Sequence, residues 1–402
     1  MPTDLATRPT LPAVGWSHES AMHATGIIAP MPAIDGENGR IWLPGMSTAT
    51  SPGLPLQAYV QMMHLYASIL EADRLMEPNR DKLRLPGAAD SPCFPKSQHS
   101  GALTELTPST RHENLFYKRE DRTVTKAYKV RGAFTGMARV MQTENCEGGF
   151  FAVSTGNHAL GILKAAELLR PPSVRIVVPL NCAEHKLSRI TGRVEELCEQ
   201  GLNASIVRWG DNFDHARSWA LEQAGTSDAY YLDPYCNPWV VSGQGTIGLE
   251  LYRQVADLLA TRPEVDEVAV VVPIGGGGLL SGVATAFKLA AAWDSRFRDV
   301  TVKFMGLRLA SLESQYGDAI IVKHPAPGNG ELFEALEIPV ERVTDEMMYQ
   351  GMKTVFEDID ARVEGPSGVT VVPVLTRDDW RPTETRLVVS LLSGGNVNDI
   401  AF

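Results

Sequence analysis

Three short stretches hold residue types that could do chemistry together. In Leu115–Phe134, LFYKREDRTVTKAYKVRGAF, Tyr128 and Lys129 follow an apolar lead-in and a polar loop, and open a run with helical spacing at Val130, Ala133, Phe134 and Met137. A lysine at a helix mouth beside an aromatic ring is placed to lose solvent. Desolvation and the helix dipole both favour its neutral amine, the form that attacks a carbonyl. Residues 151–161, FAVSTGNHALG, read as a strand, a small polar loop and a helix start. Residues 268–283, VAVVVPIGGGGLLSGV, read as a strand, four consecutive glycines and a helix. Such a glycine turn offers backbone N–H groups at a positive helix end, which suits a phosphate monoester. No Gly-Lys-Ser/Thr follows it, and its spacing is not that of a dinucleotide loop. A lysine nucleophile, an Asn/His loop and a phosphate cup point to pyridoxal 5′-phosphate.

The motifs extend further. Lys118-Arg119-Glu120-Asp121, Lys129-x-Arg131-Gly132-Ala133, Ser154-Thr155-Gly156-Asn157-His158-Ala159, Gly243 to Glu250, the glycines 275–278 and Ser393-Gly394-Gly395-Asn396 occur in this order. With them the chain resembles the fold-type II pyridoxal-phosphate enzymes over roughly residues 110–402, in particular the threonine/serine dehydratase branch that includes serine racemase. The resemblance implies that Lys129 is the Schiff-base lysine and later the base at the substrate Cα. It implies that Asn157 meets the 3′-oxygen of the ring and that Gly275, Gly276, Gly277 and Gly278 cradle the phosphate. Ser154, Thr155, Gly156 and His158 would hold the substrate carboxylate, and Ser393 would meet the ring nitrogen. Tyr128 stands where the family has Phe and is expected beside the cofactor.

These residues need a scaffold that delivers loops to one edge. From residue 115 strands are expected near 115–118, 149–153, 174–178, 204–208, 229–232, 268–273, 302–307 and 386–391. Helices are expected near 129–141, 158–169, 184–200, 212–224, 239–259, 279–293, 345–357 and 367–376. Such alternation predicts an α/β fold of mostly parallel sheets covered on both faces, with ligands beyond the carboxyl ends of the strands. The resemblance implies two such open domains with the cofactor in the cleft: a large one from 101–145 and 236–402, and a small mobile one from 146–235. Residues 1–100 form an N-terminal extension, an extended arm followed by an amphipathic helix over 56–83. With Phe402 the last residue, no C-terminal amino-acid-sensing domain is expected.

Composition limits the partners. The 402 residues carry a net charge of −11, which argues against nucleic acid and anionic membranes. Residues 1–20 have no apolar run of the signal-peptide kind. The uncharged run Val268–Phe287 is long enough to span a bilayer, but Pro273 and the glycines divide it. Five cysteines without a C-x-x-C pair read as reduced thiols of a cytoplasmic protein. A homodimer is expected, with a small amino acid as the partner molecule.

Several departures from the family pattern stand out. Lys126 occupies a usual glycine position, and the serine two before the lysine is lost. Arg308 stands where many relatives have Glu, some of them using it as a metal ligand, so no metal site is expected. Glu364-Gly365-Pro366-Ser367-Gly368 resembles Glu-Pro-x-Gly with one residue inserted, which leaves the role of Glu364 open. The expected activity is α,β-elimination from a small β-hydroxy or β-substituted L-amino acid, giving a 2-oxo acid and ammonia. β-Replacement and racemisation are the rival reactions, and a silent cofactor-binding protein is the rival class.

Overall fold

The computed structural model describes residues 33–35, 40–42, 53–85, 102–322 and 324–397. Most of the expected arm, and Cys93, lie outside the described residues. What is described of the arm forms a small antiparallel sheet of β1 (Ala33–Asp35), β2 (Arg40–Trp42) and β3 (Leu54–Pro55). The helix expected over 56–83 is not continuous. An α-helix, α1, runs Leu56–Met76, then a 3-10 turn covers Glu77–Asn79 and a four-residue helix covers Arg80–Leu83. The break falls at Pro78, which cannot donate to the preceding turn. Tyr59, Met62, Tyr66 and Ile69 of α1 are buried in one core with Ile247, Leu280 and Phe287. Ile69 sits against Gly245 so closely that a Cβ there would lie 2.4 Å from its Cδ1.

The body then alternates. β4 (Leu106–Pro108) and β5 (Leu115–Arg119) precede α2 (Lys129–Thr143), β6 (Phe150–Val153) and α3 (Asn157–Leu169). Next come β7 (Val174–Val178), α4 (Glu184–Glu199), β8 (Ala204–Arg208), α5 (Phe213–Thr226) and β9 (Tyr230–Tyr231). α6 (Pro238–Leu259), β10 (Glu267–Pro273), α7 (Gly278–Ala292) and β11 (Thr301–Leu309) follow. The chain closes with α8 (Pro327–Ala335), β12 (Val340–Val343), α9 (Asp345–Ile359), a run of short helical turns over 365–376, and β13 (Arg386–Leu392). The short edge strands β4 and β12 and the helix α8 escaped the sequence reading. The strands lack alternation, and α8 begins Pro-Gly-Asn-Gly, a poor helix-forming run.

The large sheet has the order β12-β11-β10-β13-β5-β4. Its pairs are parallel except β4 with β5. Central β10 is buried from Val268 to Pro273, which explains its unbroken apolar run. The small sheet, β8-β7-β6-β9, is parallel throughout. Its strands fall between residues 150 and 231. Helix α2 shares the small sheet's core, where Val130, Ala133 and Phe134 pack with Phe150, Ala159 and Ile162. Lys129 stands at the head of this helix, ten residues after β5 of the large sheet. Among the described residues no helix is long and apolar enough to cross a membrane.

Candidate active site

The strap that carries Lys129 is tied at both ends. Thr123 donates its hydroxyl to the carbonyl of Ala127 and accepts from the N–H of Ala127, each at 2.9 Å. The N–H of Tyr128 donates to the carbonyl of Ser393 at 3.0 Å, and that of Gly395 to Lys126 at 2.8 Å. Lys126 sits at φ 54°, left-handed backbone that glycine adopts without cost. This is a physical reason for glycine at that position in relatives. The Lys126 side chain is exposed, and nothing in the structure explains its charge.

Lys129 is buried, and its Nζ donates to the carbonyl of Pro234 at 3.1 Å. The rings of Tyr128 and Tyr235 flank it at 5.2 and 4.7 Å. Burial lowers its pKa to about 8, against a smaller opposing pull from Asp233. An appreciable share of the amine is then free at neutral pH, as a nucleophile or base requires. Helix α3 crosses close behind it. A Cβ on Gly161 would lie 3.1 Å from the Lys129 carbonyl carbon.

Lys129 and the glycines Gly275, Gly276, Gly277 and Gly278 line one pocket, together with Tyr128, Pro234, Tyr235 and Gln244. The first N–H groups of α7 have no acceptor within the helix and face a ligand position in such a turn. The carbonyl of Gly276 is pinned by Asn329 Nδ2 at 2.8 Å and by the N–H of Ala326 at 3.0 Å, which turns the opposite side of the loop free. Gly277 adopts φ 92°, and a Cβ there would lie 2.8 Å from the Cβ of Asn329. Gly277→Ala should therefore weaken retention of pyridoxal phosphate at least about ten-fold, through backbone strain of roughly 1–2 kcal/mol and displacement of Asn329. Equilibrium dialysis of the variant against wild type measures this. Equal retention would show that the turn is not the phosphate seat.

The remaining expected residues are not among those lining that pocket. Asn157 Nδ2 donates to both carboxyl oxygens of Glu364 at 2.8 and 2.9 Å, and its Oδ1 accepts from Asn396 Nδ2 at 2.9 Å. The Ser393 hydroxyl lies 3.1 Å from that of Ser367. Ser154, Thr155 and Gly156 form the half-buried turn that opens α3, where Ser154 Oγ accepts from the N–H of Gly156 at 3.1 Å. His158 points away from this turn, with Nε2 3.3 Å from the carbonyl of Leu232. Burial, and after it Lys129, pushes its pKa down to about 3, so its ring is neutral and suited to a structural contact.

Tyr235 and Asn329 were not singled out by the sequence, and Gln244, Ser367 and Asn396 lay within the quoted motifs without a site role. Gln244 has a signal of its own kind: it is buried and lines the pocket, yet neither amide atom finds a partner. Buried amides are normally satisfied, so an orphan facing a pocket fits a site built for a polar ligand. Low-basicity Lys129, an open glycine turn and this orphaned amide together fit pyridoxal phosphate. Among the described residues no cluster of His, Cys, Asp or Glu could hold a metal ion. Arg308 is half-buried on β11.

Comparison with known proteins agrees with this chemistry. The family described as pyridoxal-phosphate dependent enzyme matches residues 100–394. An L-threonine ammonia-lyase of Thermotoga maritima is 31% identical over 310 residues, covering 75% of this chain and 70% of the relative. A biosynthetic L-threonine dehydratase of Haemophilus influenzae is 28% identical over 75% of this chain, but only 56% of that relative is covered. Among solved structures, the processed form of threonine deaminase isoform 2 from Solanum lycopersicum superposes with a TM-score of 0.65 at 22% identity, over 92% of this chain and 96% of that one. Maize serine racemase superposes with a TM-score of 0.63 at 22% identity, over 83% and 94%. These two likenesses show the fold.

Proposed function

Since the chain belongs to the pyridoxal-phosphate dependent enzymes, we propose that it is an ammonia-lyase acting on a small β-hydroxy or β-substituted L-amino acid. It removes the α-proton and the β-substituent and releases a 2-oxo acid and ammonia. The observation that carries this is the single pocket lined by buried Lys129 and the four glycines. The cofactor, when bound, supplies a sink for negative charge developing at the substrate Cα. Gly275 to Gly278 would hold its phosphate, Asn157 and Ser393 its ring, and Tyr128 would pack beside it.

Lys129 Nζ takes the α-proton; burial lowers its pKa only to about 8, which leaves it basic enough for this and yet partly free at neutral pH. The turn Ser154-Thr155-Gly156, at the start of α3, offers N–H and hydroxyl donors to the substrate carboxylate. His158, beyond that turn, holds the helix start in place through Leu232. Ser393 and Ser367 are neutral hydroxyls, so neither favours a protonated ring nitrogen. A weaker electron sink favours prompt expulsion of a β-substituent over reactions that need a long-lived carbanion. A second copy of the chain as partner and a cytoplasmic setting belong to the same proposal. The four described cysteines are unbridged thiols, in keeping with a reducing compartment.

An absorbance screen of amino acids for 2-oxo acid release tests the reading, and no turnover of any would favour a silent binding protein. Racemisation is the rival worth a direct measurement, because Thr155 keeps a hydroxyl in the turn. Its added methyl restricts Oγ1, so elimination should dominate in wild type. The check is solvent-deuterium exchange at Cα with chiral analysis of recovered substrate, in wild type and Thr155→Ala. D-enantiomer outrunning 2-oxo acid in wild type, and vanishing in the variant, would mean that racemisation is the main reaction.

A further inference from the structure

Glu364 is a carboxyl that the proposed chemistry does not use, and it sits among donors. It accepts from Asn157 Nδ2 on Oε1 and Oε2 at 2.8 and 2.9 Å, and from the backbone N–H of Asn396 on Oε1 at 3.0 Å. No described cation forms an ion pair with it. Gly394 crosses so near that a Cβ there would lie 2.9 Å from Oε1. The carboxyl is thus fixed by elements from three parts of the chain: the start of α3, the segment after β13 and its own turn.

We propose that Glu364 is a positioning residue that fixes which way the Asn157 amide points, and so which of its atoms meets the cofactor. The inference rests on the pyridoxal-phosphate reading above. The carbonyl of Thr125 can only accept, so it settles that Asn396 Nδ2, 2.8 Å away, is the amide's nitrogen. The same Nδ2 donates at 2.9 Å to Asn157, which must therefore present Oδ1 to it. Ionised Glu364 can only accept, so it holds Nδ2 of Asn157 on the other side. Nδ2 carries two N–H groups, so an amide held this way can share one between the two carboxyl oxygens and offer the other to a ligand, which suits an oxyanion on the cofactor ring. Without the carboxylate the amide has one tether fewer and can turn.

The charge on Glu364 is poised to matter. Burial, more than any other influence, pushes its pKa up to about 7; the N–H donors of Asn157 and Asn396 pull it down, Asp318 raises it, and Arg189 on α4 lowers it. Tyr128 also faces it, with its phenol raised by burial above all. Lys186 pairs with Asp318 across the same mouth. A raised folded pKa means that the carboxylate, and with it the second Asn157 contact, is present above about pH 7 and is lost as pH falls through it.

The test compares Glu364→Gln with wild type. Glutamine can keep Oε1 in place for Asn157 and Asn396, but its amide nitrogen replaces the acceptor Oε2. The readout is the ratio of pyridoxal-phosphate dissociation constants, variant to wild type, from pH 6 to 8.5, together with the visible absorbance of the bound cofactor. Lys129 and the cofactor phosphate titrate in both proteins, so the ratio isolates residue 364. A ratio of roughly ten to a hundred at pH 8.5, the loss expected for a charge-assisted hydrogen bond, should fall toward one by pH 6. The difference in absorbance maximum between the two proteins should likewise shrink as pH falls from 8.5 to 6. A ratio within two-fold of one at every pH, whatever happens to the melting temperature, overturns the inference. Failure of wild type itself to take up pyridoxal phosphate would instead overturn the proposed function.

Discussion

Lys129→Ala should lower turnover by about three to five orders of magnitude, since it removes nucleophile and base together. Borohydride reduction of wild type should fix the cofactor at residue 129, and reduction of the variant should fix none. Lys126 is the neighbouring alternative, and its side chain is exposed. Label on Lys126 in the peptide map would overturn the assignment. The same residue has a second, opposite effect on stability. Its folded pKa is about 8, below that of an unfolded lysine, so the unfolded chain binds more protons between about pH 8 and 10.4. Stability of the cofactor-free protein therefore rises with pH through that window. Below it the full penalty applies, on the order of 3 kcal/mol. Lys129→Met, which fills the space without the charge, should unfold at higher urea than wild type at pH 7. It should lose that advantage near pH 11. A wild type that outlasts Lys129→Met at pH 7 would show that the amine is not desolvated.

Arg131→Met should be the most destabilising single change near the site. Arg131 is fully buried and spans two buried carboxylates. It donates to Glu120 through Nε and Nη2 at 2.8 and 2.7 Å, and to Glu250 through Nη1 and Nη2 at 2.8 and 2.9 Å. Thr104 and Thr246 complete its donors at 3.2 Å each. Glu250 in turn takes Lys118 Nζ at 2.9 Å and Arg80 Nη1 at 3.4 Å. These cations outweigh the burial that would raise it, and hold Glu250 well below the usual carboxylate range. Such a network adds little over a well-packed apolar core, but cutting one member strands the others. Removing Arg131 leaves Glu120 without its forked partner, at a cost of roughly 3–5 kcal/mol. That is a large part of the stability of an ordinary domain, about 5–15 kcal/mol. Urea unfolding, with the soluble yield, measures it. Arg131→Lys should recover part of the loss, because a single ammonium cannot fork to two carboxylates. A midpoint for Arg131→Met within experimental scatter of wild type would show that the network does not hold the base of α2.

What was legible in the sequence was what local chemistry encodes. Lys129 and the glycines 275–278 each sit at a strand-to-helix junction, and that junction is written within about twenty residues of chain. The buried parallel strands announced themselves as apolar runs, so the α/β class and most element positions followed. The apolar face of residues 56–83 foretold burial, though Pro78 breaks the helix that was expected to be continuous. The family motifs carried the cofactor and the lyase chemistry.

Tertiary structure alone decided what lies between the motifs. Glu364 meets Asn157 across 207 residues of sequence, and Asn396 meets Thr125 across 271. Arg80 of the N-terminal extension reaches Glu250 across 170. Asn329, which pins the glycine turn, comes from a helix that local propensity does not favour. No periodicity records such pairs, because each partner is ordinary in its own stretch and acquires meaning only when the two sheets bring their loops to one cleft. The low basicity of Lys129 is of the same kind. A helix-start lysine is usually solvated; this one loses its water because Tyr128, Tyr235 and Pro234 close around it, and two of those three follow β9, an edge strand of the small sheet.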